Sequence, residues 1–139
     1  MPQAADEEYF VSSDSSLLDR DFIVAALRDT YWASGRAPDV VHRSLESSLC
    51  FGMFSGESRK QVGFARVVTD RATFAWLCDV FVDEAHRGRG LGKRLVESVV
   101  GHPDLEGLAI VLATRDAHGL YERFGFVRRE MMRRPRPSE

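Results

Sequence analysis

Residues 87–93 read Arg-Gly-Arg-Gly-Leu-Gly-Lys, directly after a strongly apolar run and at the opening of an amphipathic one. Gly88, Gly90 and Gly92 leave the backbone N–H groups bare, so they can converge on an anion. The dipole of a helix starting at Gly90 adds partial positive charge at the same point. Arg87, Arg89 and Lys93 place full charges around that nest, and a pyrophosphate is its natural guest.

Which pyrophosphate is narrowed by what the spacing lacks. A Walker loop ending at Gly92-Lys93 requires Gly at 87 and a hydroxyl at 94, where the chain has Arg87 and Arg94. A dinucleotide fingerprint is G-x-G-x-x-G, but Gly88, Gly90 and Gly92 read G-x-G-x-G, with no βαβ unit ahead of them. Nucleoside triphosphate hydrolysis and NAD or FAD binding are both disfavoured.

The segment does match R/Q-x-x-G-x-G/A, through Arg87, Gly90 and Gly92, and a second block, Ala117, Leu120, Tyr121, Gly125 and Phe126, matches A-x-x-L-Y-x-x-x-G-F. With these two motifs in this order, residues 60–127 resemble the GNAT N-acetyltransferase superfamily. The resemblance implies that the loop, Leu91 included, binds the pyrophosphate of acetyl-CoA. It implies that the pantetheine arm lies along Val80, Phe81 and Val82, pairing through the backbone. The N–H of Val80 or its neighbour then faces the thioester oxygen. Thr114 stands where many relatives carry a cofactor-contacting Asn.

The resemblance also places Tyr121 where relatives protonate the departing thiolate. A phenol near pKa 10 lies only about 1.5 units above a thiol near 8.5, so the transfer is chemically reasonable. Packing against Phe124 and Phe126 is the plainer role for Tyr121. An alkylamine costs about 4.6 kcal/mol to deprotonate at pH 7, so a base helps. Asp79, a carboxylate within a buried strand, is the leading candidate, with hydrogen bonding to nearby groups as its alternative role. His118 has the better-matched pKa but reads more readily as a surface histidine. Tyr31 and Trp32 lie between the first two helices, where relatives shape the acceptor pocket; otherwise they are core aromatics.

The elements that must hold these groups follow from periodicity. Tyr9–Ser12 is a short strand. Asp19 or Asp21 caps a helix through Phe22, Ile23, Ala26 and Leu27, and Asp39 caps a second through Val40, Val41 and Leu45. Residues 49–54 and 62–69 form a hairpin. A strand over 73–82 follows, with Phe74, Trp76, Cys78, Val80 and Val82 on one face and Ala75, Leu77, Asp79 and Phe81 on the other. A helix from Gly90 to about Val100 turns Leu91, Leu95, Val96, Val99 and Val100 inward. Residues 108–113 read as a buried parallel strand, closing a right-handed βαβ unit. A short helix over 117–124 and a last strand over 126–129 complete the chain. The fold class is α/β, a mixed sheet made of an antiparallel meander plus a βαβ crossover and flanked by helices, which is also the GNAT core.

Length and composition bound the rest. With 139 residues, 44% hydrophobic and 29% charged, residues 1–139 read as one globular domain. A net charge of -2 argues against nucleic acid as a partner. Cys50 and Cys78 sit in apolar runs and read as core residues, with neither a disulfide framework nor a metal site implied. The acidic segment from Met1 to Tyr9 lacks an apolar signal core, and no run has the length of a membrane span, so a cytoplasmic protein is expected. Five arginines between Arg128 and Arg136 make a basic edge that is solvated or steers a polyanion. Two lysines against 17 arginines leave little scope for autoacetylation.

The function expected is transfer of the acetyl group of acetyl-CoA to a primary amine of a small molecule, or of a peptide or protein, by direct attack in a ternary complex without metal. A non-catalytic acyl-CoA binding or sensing domain is the alternative, and a nucleotide-binding module a third. Many members of the family are dimers, so the resemblance leaves a homodimer open alongside a monomer.

Overall fold

A computed structural model of the chain describes residues 8–137; Asp6 and Glu7, part of the acidic N-terminal stretch, lie outside them. The strands are β1 (Tyr9–Ser12), β2 (Leu49–Ser55), β3 (Gln61–Thr69), β4 (Phe74–Val82) and β5 (Ala109–Val111). They form one sheet in the order β1-β2-β3-β4-β5, antiparallel except for the parallel β4–β5 pair. The helices are α1 (Arg20–Arg28), α2 (Pro38–Glu46), α3 (Leu91–Val100) and α4 (His118–Glu122).

Among the four α-helices of the described residues, α1 alone has a side-chain cap at its start. Asp19 caps α1, its carboxylate accepting from the Phe22 N–H. The start of α2 differs from expectation: Pro38 occupies its first turn and Ala37 precedes it, while Asp39 lies inside the helix. Proline at that position loses no hydrogen bond, and the carboxylate one step on complements the helix dipole.

The two faces of the sheet carry separate cores. Leu91, Leu95, Val96 and Val99 of α3 pack with Phe51, Met53, Ala65, Val67, Ala75 and Leu77 on one side. Ile23, Leu27, Val41 and Leu45 of α1 and α2 cover Cys50, Phe64 and Phe81 on the other. Strict alternation along β4 fails here. Ala75 and Leu77 face α3, but Val80 and Val82 face that layer too, and Phe81 has moved to the opposite core. Between the Phe64–Phe81 and Arg66–Cys78 pairs β4 carries one residue more than β3, and Asp79 takes a left-handed φ of 54°. A bulge at Asp79 therefore swaps the faces of everything after it.

The end of the chain also departs from expectation. β5 is three residues long, lies at the sheet edge and is half-buried or exposed, where a longer buried strand was anticipated. Its ladder with β4 stops at Trp76–Val111, ahead of the bulge that bends β4. Residues 126–129 form no strand: so short a β5 offers little ladder to extend, and Val127, Met131 and Met132 are exposed. No helix among the described residues is long and apolar enough to cross a membrane.

Candidate acetyl-CoA and acceptor site

The glycine loop leaves backbone donors bare at the start of α3. After a helical turn over Glu84–His86, Gly88 and Gly90 adopt φ of 82° and 74°, conformations that L side chains rarely take. Gly90 then caps α3 with no side-chain hydrogen bond, leaving the first-turn N–H groups of Leu91, Gly92 and Lys93 without intrahelical acceptors. Gly92 is informative because its φ is ordinary and a Cβ added there meets nothing within 4 Å. Packing does not demand glycine at 92, but a ligand seated against the backbone would.

Of the charges expected around this nest, Lys93 is exposed, while two arginines also brace the loop. Arg87 Nε donates to the Val82 carbonyl at 2.9 Å, tying the loop to the end of β4. Arg89 Nη1 donates to the Tyr9 hydroxyl at 2.6 Å, and that hydroxyl lies 2.9 Å from His86 Nδ1. Arg94 Nη2 adds a bond to the Tyr9 carbonyl at 2.8 Å. Tyr9, His86 and Arg94 were not singled out in the sequence, because β1 is about 80 residues away along the chain.

From the loop the candidate site runs back along β4. Beyond Trp76 the β5-facing edge of β4 has no ladder partner, so alternate residues of the stretch Val80, Phe81 and Val82 turn backbone groups outward, with the Val82 carbonyl already accepting from Arg87. Nest and open edge are contiguous, and the residues present fit a pyrophosphate carrying an extended amide-bearing arm.

Asp79 is the most heavily engaged side chain of the region. Its Oδ1 accepts from Trp32 Nε1 at 2.8 Å, and its Oδ2 accepts from Arg36 Nη1 at 2.9 Å and Arg66 Nε at 2.8 Å. Burial by itself would push this carboxyl up, but the two guanidinium groups outweigh burial and hold it below the ordinary carboxylate range. Arg36 and Arg66 escaped the sequence reading. Arg66, a charge between Ala65 and Val67 in an apolar strand, was the available signal.

Tyr31 and Trp32 are brought to the same place, in an edge-on pair with centroids 5.0 Å apart. The Arg115 guanidinium stacks 3.7 Å above the Tyr31 ring, joining the α1–α2 loop to the segment after β5. Tyr121 lies close enough to feel Tyr31 and Asp116. Burial first, then these neighbours, raise its phenol, so it keeps its proton at neutral pH. Among the described residues every buried side-chain N or O has a hydrogen-bond partner, and no partner is recorded for the Tyr121 hydroxyl, so that hydroxyl reaches open space. Thr114, His118 and Tyr121 share the wall of a groove of about 1050 Å³. The Thr114 hydroxyl accepts from the Ala117 N–H at 3.0 Å and so holds the turn into α4.

The cysteines are not poised for chemistry. Burial pushes the Cys50 thiol up to about 11 and the Cys78 thiol up to about 12. Among the described residues no three His, Cys, Asp or Glu side chains form a metal-holding group.

The family model described as acetyltransferase (GNAT) domain matches residues 48–128, which include the loop, the open strand and Tyr121. The chain belongs to the GNAT family. A GNAT-family acetyltransferase structure from Xanthomonas campestris pv. campestris is 48% identical and superposes with a TM-score of 0.88, covering 94% of each chain. A Gibberella zeae protein with an acetyltransferase name, FG08082, is 34% identical over 82% of this chain and 76% of its own length. An acetyltransferase structure from Deinococcus radiodurans, 19% identical, shares the fold at a TM-score of 0.73 over 97% of this chain and 92% of that one. GNAT proteins use acetyl-CoA as co-substrate, and acetyl transfer is the activity of the family.

Proposed function

We propose that this GNAT protein is an N-acetyltransferase that moves the acetyl group of acetyl-CoA to a primary amine of a small molecule, with a peptide amine as the less favoured acceptor, by direct attack in a ternary complex. The observation that carries this reading is the continuity of the bare nest at Gly88, Gly90 and Gly92 with the unpaired edge of β4. Bound acetyl-CoA supplies an acyl group activated as a thioester.

The chain's own groups have three tasks. The loop N–H groups, with Lys93 beside them, hold the pyrophosphate. The outward backbone of Val80, Phe81 and Val82 aligns the pantetheine arm, and the N–H of Val80 or its neighbour faces the carbonyl oxygen as negative charge develops there. Tyr121 delivers its phenolic proton to the sulfur as the carbon–sulfur bond breaks and the carbon–nitrogen bond forms. The proton shed by the amine restores the phenol through water.

Asp79 is better read as an anchor than as the base. Both its oxygens already accept hydrogen bonds, and a carboxylate held below its ordinary range draws a proton poorly. His118, on the groove wall with Tyr121, relays the amine proton in this reading. The high thiol pKa values of Cys50 and Cys78 support direct attack over an acyl-cysteine route. Two free cysteines fit a reducing, cytoplasmic setting.

The test is calorimetric titration with acetyl-CoA, CoA and ATP, repeated on Gly92→Val. Acetyl-CoA binding that the substitution abolishes, with ATP far weaker, is the expected result. ATP binding as tightly as acetyl-CoA, or no acetyl-CoA binding, overturns the reading.

A homodimer belongs to the same proposal. The last segment presents an apolar face on which Val127, Met131 and Met132 are exposed. A second copy covering that face is expected to give twice the monomer mass in sedimentation. A monomer at all concentrations rejects it.

A further inference from the structure

Around Asp79 one negative charge meets two positive ones. Arg36 and Arg66 both donate to Oδ2, and Trp32 occupies Oδ1. A guanidinium carries five N–H donors. Arg66 uses one more on the Ser48 hydroxyl at 3.1 Å, and no further hydrogen bond of Arg36 is recorded. Since every buried side-chain N or O among the described residues has a partner, Arg36 Nε and Nη2 and Arg66 Nη2 reach solvent-accessible space. The opening is narrow: the two side chains are only 16% and 14% exposed.

A net positive charge in so confined a place favours an anion over water, and two guanidinium forks match the paired oxygens of a carboxylate or phosphate. The location ties this charge to the reaction. Asp79 directly precedes Val80, the proposed oxyanion donor, and the hydrogen-bonded Trp32 leads to Tyr31, which Tyr121 feels. A third guanidinium, Arg115, lies on Tyr31. Asp116 is the further carboxylate of this region and acts on Tyr121.

We propose that the acceptor amine carries an oxyanion, carboxylate or phosphate, a few bonds from its nitrogen, and that Arg36 and Arg66 receive it. The proposal rests on the acetyltransferase reading for the amine and selects its class. Amino acids, carboxylated amines and amino phosphates fit; polyamines and aminoglycoside-like polycations are repelled. Trp32 and Tyr31 then flank the carbon skeleton between the oxyanion and the reacting nitrogen.

The experiment is calorimetry on the full chain saturated with CoA, using 4-aminobutyrate, 2-aminoethyl phosphate, 4-aminobutanamide and 1,4-diaminobutane as probes. One or both anionic probes should bind at least tenfold more tightly than the amide, and the diamine most weakly. The better of the two anions names the source. Arg36→Gln should bring the anionic probes to within about twofold of the amide, and Arg36→Lys, which keeps the charge and loses the fork, should fall between. Equal binding of all four, preference for the diamine, no binding of any probe, or an anion preference that survives Arg36→Gln overturns the proposal. Turnover of the same amines, read as released CoA, is scored separately: anion binding without turnover of any amine would retire the acetyltransferase reading while keeping the anion site.

Discussion

Arg66 Nε lies 2.8 Å from Asp79 Oδ2 across the β3–β4 pair, at the one place where β4 carries an extra residue. The bulge brings Asp79 to the α1–α2 face of the sheet, and Arg66 and Arg36 hold it there. A left-handed backbone in a buried non-glycine residue is kept only when its surroundings over-determine it, and three donors on one carboxylate do so.

Removing that charge should be severe. Asp79→Asn leaves two half-buried guanidinium groups without a counter-charge and should destabilise the fold by about 3–5 kcal/mol, measured by urea unfolding at pH 7. Because the folded carboxyl is held below its ordinary value, its contribution is complete above the unfolded pKa near 4 and fades as pH falls through the lower folded pKa. The gap between wild type and variant should therefore shrink on acidification below pH 4. A pH-independent gap would show that charge is not the cause.

Tyr121→Phe keeps the ring packed on Phe126 and removes only the hydroxyl proposed to protonate the thiolate. Turnover should fall by roughly 10²–10⁴-fold with acetyl-CoA affinity unchanged. Because the phenol is raised, any loss of rate in the wild type from its ionisation should appear only above about pH 10. An unchanged rate in the variant would place the thiolate's proton elsewhere.

Two glycine substitutions should separate fold from ligand. A Cβ at position 92 meets no atom within 4 Å, so in Gly92→Val thermal unfolding should move little while acetyl-CoA binding weakens by tenfold or more. Gly90→Ala forces a side chain to φ 74° and should lower stability by about 1 kcal/mol. Equal effects of both on stability would contradict this division.

Trp32→Phe loses the indole N–H to Asp79 but preserves aromatic bulk. Loss of about 1 kcal/mol is expected from the missing hydrogen bond, with a rise in KM for the amine larger than the fall in kcat. A change confined to kcat would argue that Trp32 acts on the chemical step.

Neither thiol should react with iodoacetamide in the folded protein at pH 8, since thiols raised to about 11 and 12 hold almost no thiolate there. Full activity after such treatment is expected. Rapid inactivation with one alkyl group incorporated would revive a covalent route.

What could be read from the sequence was what local rules govern. Glycine spacing marked the loop, because φ near 80° at Gly88 and Gly90 excludes most other residues. The three-to-four-residue spacing of Leu91, Leu95, Val96 and Val99 gave α3 and its buried face, and the apolar runs gave the meander and the parallel crossover. Those same residues carried the family. Tertiary structure decided whatever depends on partners distant in the chain. The bulge that flips β4 at Asp79 is a matter of register against β3, and period-two alternation cannot announce it. The clamp joins Trp32, Arg36, Arg66 and Asp79 from three separate elements, so the sequence offers Asp79 alone and only the fold brings its three partners to it. The last segment has strand-like residues but little ladder to join, because a strand needs a receiving edge of comparable length and β5 offers three residues.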